Sequence, residues 1–161
     1  MAGAALSPQP PELPVGGLKR ADVNALAHDD AYAETELAGV DLSDQHASGV
    51  KLDTVKLFNV ELGDSRLQDL RVANSRLTGC NMANVQAGRA NFARVSIEAS
   101  RLTGIALTEA ALRDVTLRDC RVDLASFGSS AWRGSPSRTA CWPRPTSSRL
   151  DWSPCAFTAV T

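Results

Sequence analysis

From Leu37 onward every fifth residue is apolar: Leu42, Ala47, Leu52, Leu57, Leu62, Leu67, Val72, Leu77 and Met82 follow in step. The register runs on without a slip through Ala87, Phe92, Ile97, Leu102, Leu107, Leu112, Leu117, Val122 and Phe127. Two residues before each member sits a second series, mostly small or β-branched. It begins Thr35, Val40, Gln45, Val50, Val55, Val60, Ser65 and ends at Cys120 and Ala125. An amphipathic helix cannot use this spacing, since five residues advance it by about 140° and the leucines would wander round every face. A long flat strand fails too, because an odd period throws successive leucines to opposite sides. Within a short extended segment, however, residues two apart face the same way. Each pentad therefore points two residues inward and then turns. The turning slots hold Gly39, Asp44, Gly49, Asn59, Asp64, Asp69, Asn74, Gly79, Asn84 and Gly104, residue types that tolerate turn dihedrals. The pattern predicts an all-β chain of short stacked units over residues 35–129.

Segments such as Ala90-Asn91-Phe92-Ala93-Arg94 and Asn81-Met82-Ala83-Asn84 carry a motif that resembles the pentapeptide-repeat family, whose pattern is A(D/N)LXX. About nineteen pentads fit it over roughly 95 residues, with Val or Ser often in the small position. A leucine-rich repeat is disfavoured, because it needs a longer period with unequal leucine spacing. The resemblance implies a right-handed quadrilateral β-helix of about five coils, with four pentads per coil. Columns are then found by adding twenty. One wall stacks Leu37, Leu57, Leu77, Ile97 and Leu117; another stacks Leu42, Leu62, Met82, Leu102 and Val122. Coils are expected ~4.8 Å apart, each stabilised by the coil above and below. Cys80 and Cys120 fall in one column at ~10 Å, beyond the reach of a disulfide, and read as small buried apolar residues.

Proline marks the boundaries, because all eight lie between Pro8 and Pro14 or between Pro136 and Pro154. Residues 1–17 read as a flexible Pro/Ala/Gly-rich arm. Residues 18–34 read as a lead-in or N-terminal cap, short and helical or irregular. Residues 130–161 read as a disordered tail outside the repeat. Yet Trp132, Trp142 and Trp152 still fall on the register of Phe127. Trp is encoded only by TGG, and reading one base earlier turns each into a Leu, Val or Met codon. With TCN codons for the serines, the intervening register positions Ser137, Ser147 and Phe157 become apolar in the same shifted frame. The tail therefore reads as repeat-coding sequence in the wrong frame, which would leave an exposed last coil prone to self-association.

Composition narrows function more than it identifies it. The net charge is −1, and between Glu36 and Asp123 about twelve acids face eleven bases. That balance supports neither nucleic acid nor an anionic membrane as partner. No apolar run approaches the ~18 residues that cross a bilayer, and the start is a poor signal peptide, so a cytoplasmic protein is expected. Cys80, Cys120, Cys141 and Cys155 show no zinc spacing. His28 and His46 are the only histidines, and His46 reads as a surface residue rather than a catalytic base; Asp114 and Asp119 read as turn residues rather than an acid/base pair. Lys51, Lys56, Arg66, Arg71 and Arg76 read as a solvated basic sector balanced by Asp53, Asp64 and Asp69. No catalytic, metal or cofactor site is expected, and no cofactor. Two functions remain: a non-enzymatic scaffold for an unknown protein partner, or, as the resemblance implies, a DNA mimic that binds a type II topoisomerase. Mimicry needs a strong acidic field, which the composition does not supply.

Overall fold

The computed structural model describes residues 9–14, 16–126 and 128–133. Its strands are β1 (Lys19–Arg20), β2 (Ala31–Ala33), β3 (Thr35–Ala38), β4 (His46–Ser48), β5 (Lys51–Asp53) and β6 (Lys56–Phe58). They continue with β7 (Arg66–Gln68), β8 (Arg71–Ala73), β9 (Arg76–Thr78), β10 (Asn91–Glu98), β11 (Ala111–Arg118) and β12 (Ala131–Arg133). All of their pairings are parallel. Leu57 lies opposite Leu37 and Leu77, and Val72 opposite Leu52 and Phe92, so partners stand twenty residues apart. The fold is an all-β solenoid of about five coils, and four pentads close each coil.

A left-handed residue makes each corner. Positive φ recurs at every fifth position from Asp29 to Ser129, and Gly39, Gly49, Gly79 and Gly104 fill four of these places. Asn and Asp take several others, as the turn slots predict, but Thr54, Arg94, Ala99 and Leu124 are held there too. Neighbouring coils impose this geometry whatever the local preference.

Four walls result. The first stacks β3, β6, β9 and the later halves of β10 and β11; the fourth stacks β2, β5, β8, their earlier halves and β12. The third carries β4 and β7, continued by single bridges from Arg66 to Gln86, Ala106 and Ser126. The second is built of single bridges alone, linking Asp41, Glu61, Asn81, Arg101 and Arg121 in order. Both inward series form the core, with Leu37, Leu42, Val55, Val60 and Val95 almost fully buried. Among described members only Val40, Gln45, Leu52 and Cys120 are half-buried. The axial gap left between facing walls is about 40 Å³ and lined only by apolar side chains, Leu62, Leu67 and Met82 among them. With no polar partner there, a water molecule has nothing to hold it.

The repeat extends beyond residues 35–129 at both ends. No helix forms over residues 18–34, because β2 pairs with β5 at the same offset of twenty. Tyr32 takes a central slot, while Asp29 and Glu34 take corners. β1 is different, since Lys19 lies opposite Thr35, only sixteen residues on. The first turn is thus short, and the segment that closes it brings Val23 and Leu26 onto the end of the core. The Leu26 N–H donates to Gln45 Oε1 at 3.1 Å, which explains why an amide stands in the inward series there. At the other end β12 pairs with β11 and Trp132 lies opposite Leu112. Trp132 keeps the column because it keeps the register. The remaining expectations for the tail concern residues 134–161, outside the described residues, as does the self-association expected of the last coil.

Candidate interaction surface

Three positions of each pentad face outward, and the offset of twenty stacks them into vertical ladders. Side chains one coil apart therefore meet wherever their chemistry allows. Arg89 Nε and Nη2 donate to the two carboxylate oxygens of Asp69 at 2.8 and 2.7 Å. That fork, with Arg71 a smaller influence, holds the Asp69 carboxyl below its ordinary range. Asn84 Nδ2 donates to Asp64 at 2.9 Å, Asn81 Nδ2 to Glu61 at 2.7 Å, and Arg94 Nε to Asn74 at 2.6 Å. Lys56 meets Glu36 at 3.6 Å.

The basic sector runs over three adjacent walls. Lys51 and Arg71 pair on the fourth wall, Lys56 and Arg76 on the first, and Arg66 stands on the third. Arg76 Nε is buried without a hydrogen-bond partner. Arg101 and Arg121 occupy the second wall and Arg113 the fourth, so every wall carries cations and none presents a continuous acidic face. Asp114 and Asp119 stand at consecutive corners with φ of 53° and 50°. Asp114 lies 3.6 Å from Arg113 Nε.

His46 is exposed beside Arg66 at the start of the third wall. His28 has a partner that linear spacing hides, because Ser48 sits one coil on. The Ser48 N–H donates to His28 Nδ1 at 3.1 Å and the Ser48 hydroxyl lies 2.8 Å from the same atom. A backbone N–H can only donate, so Nδ1 is the acceptor. The pair is exposed and ties the cap to the first full coil. Burial raises the thiol pKa of both Cys80 and Cys120. Ser100 separates them in their column. No cluster of His, Cys, Asp and Glu suited to a metal occurs among the described residues. No helix there is long and apolar enough to cross a membrane.

Twenty residues per coil, a left-handed corner at every fifth residue and two inward positions per pentad settle the architecture. The chain is a parallel β-solenoid built on a five-residue repeat. Neither a family model nor a curated protein matches it. Among solved structures it is similar to the pentapeptide-repeat protein Rfr23 of the cyanobacterium Cyanothece 51142, at 20% identity over 60% of this chain and 63% of that one, with a TM-score of 0.32. The solenoid thus spans less than two-thirds of Rfr23. It is also similar to trypsin-treated QnrB1, a plasmid-mediated fluoroquinolone resistance protein, at 12% identity over 71% of this chain and 72% of that one, TM-score 0.33. HetL, involved in heterocyst differentiation regulation in the cyanobacterium Nostoc, matches at 9% identity over 66% and 83% of the two chains, TM-score 0.18.

Proposed function

We propose that the chain is a non-enzymatic scaffold whose outward ladders bind another protein. One observation supports this above all: the described surface consists of flat walls on which polar side chains repeat at a single strand spacing. Such a surface is rigid before it binds, so little conformational entropy is lost on docking. Its charges are mixed on each wall, which suits a protein partner better than a phosphate backbone. The test is affinity capture from the native host using the full chain and charge reversals on each wall in turn. The scaffold reading expects a protein that is retained by the original chain and released by reversal on one wall, for example Lys51→Glu with Arg71→Glu. Retention indifferent to every wall, or none at all, contradicts it.

A further inference from the structure

The second wall has a charge order of its own. Its ladder runs Asp41, Glu61, Asn81, Arg101, Arg121, each residue directly above the last. Read up the solenoid, two acids give way to two bases across a neutral amide. Asp41, Glu61, Arg101 and Arg121 are exposed. Among the described residues Asp41, Glu61 and Arg101 have no ion-pair partner, while Arg121 Nε meets Asp123 at 2.6 Å. Local hydrogen bonds hold the others in place. Asp41 accepts from Ser43 N–H and hydroxyl at 3.0 and 2.5 Å, and Arg101 Nε reaches Thr103 Oγ1 at 3.5 Å. The neighbouring row is Ser43, Gly63, Ala83, Thr103 and Asp123, and the short side chains on its first four rungs let a second surface come close.

We propose that this wall docks against the same wall of a second copy, with the two solenoid axes antiparallel. A two-fold axis along the strand direction at the level of Asn81 reverses one ladder against the other. Asp41 then faces Arg121 of the partner, Glu61 faces Arg101, and Asn81 faces itself. The arrangement is isologous, so every favourable pair occurs twice. A parallel arrangement would set Glu61 against Glu61 and Arg101 against Arg101, and a slip of one coil leaves only half of the ion pairs. The charge order therefore selects one orientation and one register. It stands apart from the scaffold reading, which concerns a foreign protein on any wall.

The face is small. Five rungs ~4.8 Å apart and one pentad wide cover on the order of a few hundred Å² per copy, against ~800 Å² in a standard interface. The dimer is accordingly weak and carried by charge. Sedimentation of the full chain at high concentration tests it, in ~20 mM and in ~0.5 M salt. A dimer at low salt that dissociates at high salt is expected; a monomer in both, or a dimer indifferent to salt, overturns the proposal. Glu61→Arg and Arg101→Glu should each be monomeric, with thermal unfolding confirming that they fold. Mixing these two variants should restore association, as should combining both changes in one chain. Association that survives either single change, or mixing that restores nothing, also overturns it.

Discussion

Ser75 sits one coil above Val55, and its hydroxyl oxygen accepts the Val55 N–H at 3.1 Å while donating to the Ala73 carbonyl at 2.6 Å. Both residues are almost wholly buried, at 1% and 0% exposure. Ser65 serves Gln45, Ser100 serves Cys80 and Ser130 serves Ala110 in the same way. A serine in the inward series is thus a staple between coils rather than a small filler. Ser75→Ala should cost about 1–3 kcal/mol, because it leaves a buried donor unmet. Denaturant unfolding checks this, with the exposed Ser126→Ala as a control expected within about 0.5 kcal/mol of the original chain. Equal effects would count against the staple.

Leu77 lies mid-column between Leu57 and Ile97 and is 2% exposed. Leu77→Ala should destabilise by about 2–5 kcal/mol, since the coils above and below are held at strand spacing and cannot close the cavity. The same unfolding assay measures it, and a loss below about 1 kcal/mol would mean the coils collapse freely.

Corner residues should respond to their backbone. Leu124 is held at φ 56° with 78% exposure, so its side chain gains little from packing. Leu124→Gly should therefore be neutral or stabilise by up to about 1 kcal/mol. Gly79 has φ +65°, and a Cβ there would run into Asn59 Oδ1. Gly79→Ala should lower the thermal midpoint, and a rise would contradict the left-handed corner.

The Asp69 carboxyl is held low by the Arg89 fork. A lowered folded pKa means that the stabilisation is present above the ordinary carboxylate value and is lost as pH falls through the folded value. Carboxyl titration by NMR should show Asp69 below the ordinary carboxylate range and returned toward it in Arg89→Gln. A titration unmoved by that change would remove Arg89 as the cause.

Mixed charge on every wall leads to a negative expectation for DNA mimicry. The purified chain should leave gyrase supercoiling unchanged at low micromolar concentration and give no protection from quinolones. Inhibition abolished by Asp114→Asn with Asp119→Asn would contradict it.

Much of the fold is legible in the residues because the inward positions are few and strictly repeated. Leu57, Leu77 and Ile97 announce the core, and Asp64, Asn74 and Asn84 announce the corners. Less visible is whatever depends on coil length, since spacing within a pentad does not say how many pentads close a turn. The Ser75–Val55 staple, the His28–Ser48 contact and the charge ladder on the second wall all appear only at an offset of twenty. The cap was illegible for the opposite reason. Val23 and Leu26 reach the core through a turn of sixteen residues, so they stand off the fivefold register that identifies every other core residue.

Interproton contacts across coils test that offset most directly. An NMR map of the full chain should connect each wall residue with the one twenty later, for example Leu57 with Leu77 and Val72 with Phe92, all as parallel strands. Contacts at helical spacing, or antiparallel pairings between neighbouring pentads, would contradict the solenoid.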